Sequence, residues 1–426
     1  MVRIAIIGGG PAGLGAAKKL VEAGQQVTVF EATGELGGLA SSFEKDGFKI
    51  PIFYHHVLQF DFVTKSLLEE FGLTGNLARN TIKMGISFEN TVYELSKIKT
   101  LFWNFLSLRD KWKFGMLYLW SKIKKNWSDL EGVNAHDWLE KAVGVNVRDR
   151  IFAPLMRVKY GVPLSMISAS ELAVRLGNEE ATGELVYPKE GLYELYKRFG
   201  EYLQKNGTDI KLKTPIKNIK FNNESTALVS YDSAGKTATE TFDFVINTAP
   251  IPVFLKVAQD LSAEFRKQLE QIKYCAGICV TVGMEKPMSK YYWINIFDKP
   301  FGITVEHTNL CDIYPWKVCW VSRYAPPEEH MKLPDEEILK IFLSELKTIH
   351  PDINVIWTKV SRSQHTSPVY DINYAKYMPN CETPIKNLFF AGIAITYPKL
   401  RSQNTAFESG YETAQKVLEQ IGLLST

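Results

Sequence analysis

Residues 3–7 read Arg3-Ile4-Ala5-Ile6-Ile7, and the chain continues Gly8-Gly9-Gly10-Pro11-Ala12-Gly13. A short apolar run that stops at glycines predicts a buried strand. Over 11–23, Leu14, Ala17, Leu20 and Val21 recur at helical spacing, and Gly24 stands where a helix C-cap belongs. Residues 26–31 (Gln26-Val27-Thr28-Val29-Phe30-Glu31) predict a second strand. The result is a strand–helix–strand unit of about thirty residues. Gly8, Gly10 and Gly13 form G-x-G-x-x-G at the junction of strand and helix. Gly8 permits the tight turn, Gly10 leaves bare backbone for a pyrophosphate, and Gly13 lets helix and strand pack closely. The helix start adds unpaired N–H groups and the positive end of its dipole. Glu31 ends the second strand, where a carboxylate accepts hydrogen bonds from ribose hydroxyls and repels a 2′-phosphate. These residues predict a dinucleotide site.

The 426 residues allow two to three domains, and 45% apolar content supports a large core. Fifty basic residues face 47 acidic ones, a net charge of +3, so no concentrated phosphate-binding face and no nucleic-acid partner are expected. The five cysteines form no C-x-x-C pair, which fits buried thiols in a reducing, cytoplasmic setting. The motif at Gly8 leaves no room for a signal peptide, and no apolar run of about 18 residues predicts a membrane span. Beyond the first unit, 67–138 carries helical patterns crowded with aromatic residues. A helix is predicted over 191–206, strands over 210–212, 216–221 and 242–247, a strand-rich stretch over 278–323, a helix over 334–349, a strand over 387–391 and a helix over 405–424. Nucleotide-type segments therefore recur at the start, middle and end of the chain.

After Glu31 the chain reads Ala32-Thr33-Gly34-Glu35-Leu36-Gly37-Gly38-Leu39-Ala40-Ser41. This resembles the second flavin signature of the FAD-dependent amine-oxidase and protoporphyrinogen-oxidase superfamily. The resemblance puts Gly37 and Gly38 beside the pyrophosphate, and Leu39, Ala40 and Ser41 near the flavin. Tyr187-Pro188-Lys189-Glu190-Gly191 resembles the family's Pro-x-Gly-Gly helix start, with Glu190 in place of glycine. The segment 215–219 resembles the strand that meets the adenine, at Ile216. Phe389-Phe390-Ala391-Gly392 resembles the late strand that approaches the ribityl phosphate. Arg401-Ser402-Gln403-Asn404-Thr405-Ala406 resembles the helix start aimed at the flavin ring. The implied fold is α/β, a Rossmann-like FAD-binding domain (1–80, 187–255, 381–426) with a discontinuous α+β substrate domain (81–186, helical; 256–380, mixed). The implied cofactor is FAD, with Pro11, Ala12 and Ala32 completing its cradle. The implied activity is that of an oxidoreductase removing a hydride from a small-molecule substrate to flavin N5.

Three alternatives follow for function: a redox enzyme of this type, a non-redox flavoenzyme similar to UDP-galactopyranose mutase, or a protein that keeps FAD for structure. A mutase needs arginines on a diphosphate, for which Arg157 and Arg401 are the candidates. Candidate catalytic residues are His55 and His56 in Tyr54-His55-His56, which follow the paired glycines. A histidine beside the ring could move protons or hold a substrate anion. Arg157, with Lys159 and Tyr160, forms a compact cationic segment suited to a carboxylate or phosphate. Tyr397 and Arg401 are weaker candidates. The stretch 98–127 combines large apolar residues with Lys111, Lys113, Lys122, Lys124 and Lys125. It reads as core-facing helices with solvated lysines, or as a peripheral membrane surface. No HExxH or close His/carboxylate group points to a metal, and no G-x-S-x-G to a hydrolase. Oligomeric state is not legible.

Overall fold

The structure, a computed structural model, describes residues 1–96, 99–124, 126–177, 184–222 and 226–422. Its organising layer is a five-stranded parallel sheet. Arg3–Ile7 lies at the centre between Gln26–Phe30 and Phe244–Asn247, with Asp209–Lys211 and Leu388–Phe390 at the edges. Side-chain alternation divides the two faces. Ile4, Ile6, Val27 and Val29 pack with Leu14, Ala17, Leu195, Phe199 and Phe407 of three helices. Ala5, Ile7 and Phe30 pack with Ile219, Val229, Tyr231 and Phe242 on the opposite face. Those last residues belong to an antiparallel sheet of Ile216–Asn222, Thr226–Ser233 and Lys236–Phe242.

The first helix, Pro11–Glu22, and the last, Gln403–Gln420, meet with almost no side chain between them. A Cβ on Gly410 would stand 2.1 Å from the Ala12 carbonyl oxygen and 2.9 Å from the Ala16 nitrogen. Gly13 is under the same constraint, since its Cβ would reach the Gly8 carbonyl oxygen at 2.0 Å. The obstacles are backbone atoms, which cannot rotate aside as a flexible side chain can.

A second sheet has seven strands in the order Val355–Pro368, Tyr274–Met284, Lys317–Tyr324, Ile303–Glu306, Trp293–Ile296, Met84–Phe88 and Thr91–Leu95. Only the Trp293–Ile296/Met84–Phe88 pair is parallel. Asp335–Ile349 covers it through Ile338, Phe342 and Leu346. A helical layer follows, with Leu108–Ile123, Ala135–Val143, Ala153–Tyr160 and Ala169–Gly177 around a core of Leu139, Val143, Phe152, Met156 and Leu172. The expectation of helices throughout 67–138 needs correcting. Leu77–Thr81, Met84–Phe88 and Thr91–Leu95 are strands: the first pairs with Glu184–Pro188, about one hundred residues on, the second with Trp293–Ile296, about two hundred residues on, and the third closes a hairpin on the second. Short segments of this kind acquire their period from tertiary pairing. The fold is α/β, with a Rossmann-like parallel layer.

Where the sheets meet, His307 is fully buried, with ring contacts to Tyr187 at 4.5 Å and Trp320 at 5.1 Å. Neither ring nitrogen has a hydrogen-bond partner among the described residues. Burial, and then the charge of nearby His56, lower its pKa from 6.5 to about 3. Between those values the unfolded chain binds a proton that the folded ring refuses, so stability falls as pH drops through the window. From pH 6.5 to 5 this amounts to about 2 kcal/mol. His307→Phe, or the smaller His307→Leu, should flatten the loss of melting temperature over that range; a variant as acid-sensitive as the parent would clear His307 of the effect. Gly410→Ala should cost about 1–3 kcal/mol or more by forcing the two helices apart. Gly115→Ala, with nothing within 4 Å of its Cβ, should hold or raise the melting temperature; equal midpoints for the two variants would refute the packing constraint.

Candidate functional site

At the carboxyl ends of the parallel strands lies a cavity of about 720 Å³. That is where ligands bind in open parallel sheets. Gly8, Gly10, Pro11, Ala12, Glu31, Ala32, Gly37, Gly38, Leu39, Ala40, Ile216, Gly392 and Ala406 all line it.

The Glu31 carboxylate is 7% exposed and fixed from two sides. The Gly9 N–H donates to one oxygen at 2.8 Å, and the Thr33 N–H and hydroxyl donate to the other, each at 2.8 Å. Lys211 and Thr214 join the same rim through backbone bonds with Glu31. The Gly37 N–H donates to the Gly9 carbonyl at 2.9 Å, which folds the second glycine turn over the first. Gly37 has φ +109°, a region that favours glycine.

Gly10 is different. Its φ is −81°, accessible to any residue. A Cβ there would meet only the Gly38 Cα, at 3.9 Å, among the described residues. Neither strain nor protein packing calls for glycine at this position. The open space beside it does, and two bare backbones facing each other next to a helix start have the form of a diphosphate cradle. The residues present therefore fit the pyrophosphate and ribose of FAD.

Gly13 stands behind this surface, packed on Gly8, and does not line the cavity. Asn404 and Thr405 are also turned away, contrary to expectation. The Asn404 side-chain oxygen accepts the Thr64 N–H at 3.0 Å. Thr405 is tied into the helix cap, its N–H donating to the Ser402 hydroxyl oxygen at 3.2 Å and its own hydroxyl to the Leu400 carbonyl at 2.8 Å. Both face a smaller cavity of about 280 Å³, while Arg401, Ser402, Gln403 and Ala406 face the large one. The first residues of a helix point in successive directions about 100° apart, so one segment cannot present them all to one ligand.

Part of the cavity lining is aromatic and cationic. Tyr54, His55 and His56 line it, with Trp293 and Tyr324 from the seven-stranded sheet. The Tyr54 and Tyr324 hydroxyls are 2.7 Å apart, and the Tyr54 ring meets Trp293 edge-on at 4.9 Å. His55 Nδ1 bonds the Phe53 carbonyl at 3.0 Å, and burial lowers its pKa. His56 Nδ1 is 3.0 Å from the Tyr292 hydroxyl. Burial raises the Tyr292 pKa well above its ordinary value, so the phenol keeps its proton and can donate it. The Gln403 side chain donates to the His56 carbonyl at 3.4 Å.

Arg157 is exposed and does not line the cavity; Lys159 does. Two positions along a helix are about 200° apart, so Ala153–Tyr160 can turn only one of them inward. Behind Lys159, sequence reasoning missed a buried charge cluster. Arg175 lines the cavity and pairs with Glu171 at 2.8 Å, one turn earlier on Ala169–Gly177. The Tyr160 hydroxyl donates to Glu171 and accepts from Arg401. Arg401 also donates to the Ser367 hydroxyl and the Pro368 carbonyl. Burial would raise the Glu171 carboxyl, but Arg175 and Arg401, with the Tyr160 hydroxyl, hold it below the usual range. The signal was present in Ser170-Glu171-Leu172-Ala173-Val174-Arg175, an i,i+4 acid–base pair inside an apolar run. Tyr397 bonds Ser168 and Ser170 and lies outside the lining. The described residues contain no metal-type cluster of three His, Cys, Asp or Glu side chains.

The family model for flavin containing amine oxidoreductases matches residues 11–418. The chain is 24% identical to a 15-cis-phytoene desaturase of Solanum lycopersicum, over 99% of this chain and 79% of that protein. It is 23% identical to the coproporphyrinogen III oxidase of Staphylococcus aureus, over 95% of each. Its fold superposes on putrescine oxidase bound to putrescine with a TM-score of 0.76 at 18% identity, covering 98% and 99% of the two chains. The chain belongs to the flavin-containing amine oxidoreductase family and is an FAD-dependent oxidoreductase.

Proposed function

We propose that FAD lies along the floor of the large cavity and that an organic small molecule is oxidised against its aromatic and cationic wall. In this reading the adenosine ribose meets Glu31, the adenine lies by Ile216 and the pyrophosphate crosses between Gly10 and Gly38. The bare apposition of Gly10 and Gly38 beside a pre-oriented Glu31 carboxylate carries it. Bound there, the flavin supplies hydride acceptance at N5 from a substrate C–H or C–N site, with oxygen or another acceptor restoring it. The chain supplies orientation. Trp293, Tyr54 and Tyr324 confine the substrate and exclude water. His56, positioned by the Tyr292 hydroxyl at Nδ1, is the ring that would exchange a proton with the substrate. Lys159 and Arg175 favour substrates with negative charge near the reacting carbon. We also propose the division of the chain into an FAD domain (1–80, 187–255, 381–426) and a substrate domain (81–186, 256–380).

The sugar-nucleotide mutase reading has less support. Of its two diphosphate-gripping arginines, Arg157 is outside the cavity, and Arg401 is engaged by Tyr160, Glu171, Ser367 and Pro368. The five thiols are all free, which fits a reducing cytoplasmic setting. No helix among the described residues is long and apolar enough to cross a membrane, and any contact with lipid is peripheral in this reading.

Glu31→Ala should lower FAD affinity about tenfold or more, since a ribose hydroxyl loses a charged acceptor. Flavin retained through a desalting column reads the effect, with melting temperature as a check on folding; undiminished affinity in a folded variant would end the ribose assignment. The activity itself is tested by mixing the holoprotein anaerobically with a panel of amines and other oxidisable metabolites. Bleaching of the flavin absorbance is the expected result, and a flavin inert to the whole panel would count against the reading. With any metabolite that bleaches it, His56→Ala should slow reduction by about 10²-fold or more while leaving the oxidised spectrum near normal. An unaltered rate would retire the role of His56.

A further inference from the structure

Helix Leu108–Ile123 is apolar on two opposite faces. Leu117 and Ser121 are its buried residues, turned toward the helical layer. On the other side Leu108, Trp112, Met116, Leu119 and Ile123 succeed one another at spacings of four, four, three and four. At about 100° per residue these five side chains fall within about 80° of arc. All are exposed, Leu108 at 83%, Trp112 at 67% and Ile123 at 82%. Phe102, at the end of the preceding turn, is 75% exposed. An exposed stripe of large side chains in register is unlike the scattered apolar residues of an ordinary surface, and it marks an interaction site.

The charges around the stripe identify the partner. The helix carries Arg109, Lys111, Lys113 and Lys122 against one acid, Asp110. On the helical wheel, Lys111 and Lys122 flank one edge of the stripe, and Arg109 and Lys113 the other. Asp110 lies on the far side, bonded to Ser107 in the helix cap and to Asn146 at 2.7 Å. A stripe of Leu, Ile, Met and Trp bordered on both sides by cations matches a bilayer interface with anionic headgroups. There the apolar face enters the acyl boundary and the long basic side chains reach back to the phosphates. A second copy of the chain fits less well, because a two-fold contact along the stripe would bring basic edges against their own kind.

We propose that this face of helix Leu108–Ile123 docks the protein peripherally on an anionic lipid surface. The holoprotein should pellet with vesicles of phosphatidylglycerol and phosphatidylcholine, and much less with phosphatidylcholine alone. Trp112→Glu/Leu119→Glu/Ile123→Glu should abolish pelleting while retaining flavin and melting temperature. Arg109→Glu/Lys111→Glu should weaken it by about tenfold or more, and added salt should do the same. Should the triple variant fail to fold, brominated lipid read against the parent protein and Trp112→Phe serves instead: the part of the tryptophan emission that is quenched should be smaller in Trp112→Phe. No pelleting of the parent protein, equal pelleting with neutral vesicles, or pelleting and quenching indifferent to these substitutions would overturn the proposal. So would a concentration-dependent dimer that the triple variant dissolves, which would make a second copy the occupant.

Discussion

The close approach of the first and last helices is the constraint on which the site depends. Gly410 sets its Cα against the Ala12 carbonyl, and a Cβ on Gly15 would meet the Phe407 carbonyl oxygen at 2.9 Å. Contact without intervening side chains allows one separation only, because backbone atoms have no rotamers with which to accommodate an error. The start of the last helix is thereby held beside the start of the first, although nearly four hundred residues separate them. Ser402, Gln403 and Ala406 come to line the same cavity as Gly10, Pro11 and Ala12. The Gly392 N–H, donating to the Ser409 hydroxyl at 2.9 Å, fixes the late strand to the same helix. One cavity floor is therefore assembled from both ends of the chain, and its geometry follows from glycines that no ligand touches.

A second tie joins this floor to the helical layer. Arg401 precedes the last helix, Tyr160 ends one helix of the layer, and Glu171 and Arg175 belong to another. Two guanidinium groups converge on one buried carboxylate. Burying such charges costs several kcal/mol per ion unless every partner is in place. The cluster is therefore a demanding way to hold two layers together, and an effective way to fix their relative position. It also sets Arg175 and Arg401 in the lining of the cavity that Tyr54 and Trp293 share.

The parts of this arrangement that were legible in the sequence are those whose determinants are local. The turn at Gly8–Gly13, the strand ending in Glu31 and the second turn at Gly37–Gly38 each complete their backbone geometry within a few residues. Their spacing therefore reports their shape. The cationic wall was legible only as composition. Arg157 and Lys159 are equivalent in a list of charges, and the helical period alone decides which of them faces inward. Asn404 and Thr405 sit at a helix start, as expected, but their side chains are occupied by Thr64 and by the cap. Glu171 and Arg175 escaped notice because a buried pair acquires meaning only when Tyr160 and Arg401 arrive from elsewhere in the chain. Leu77–Thr81 and Met84–Phe88 were hidden for the same reason, since their partners Glu184–Pro188 and Trp293–Ile296 are remote.

The ambiguity of the aromatic and basic stretch has a physical origin of a different kind. A helix with one apolar face shows a strong asymmetry and reads plainly as a surface element. Leu108–Ile123 has two such faces, one toward Leu139 and Phe152 and one toward solvent, and their contributions largely cancel along the sequence. What survives is the order of the charges, with the single acid placed away from the exposed stripe and cations along both of its edges. Asp110 serves the helix cap and Asn146, and Lys122 donates to the Gly177 carbonyl, but the core-facing residues Leu117 and Ser121 do not require cations along both edges of the outer stripe. The overall charge of the chain, +3, conceals this local bias of four cations against one acid along the helix.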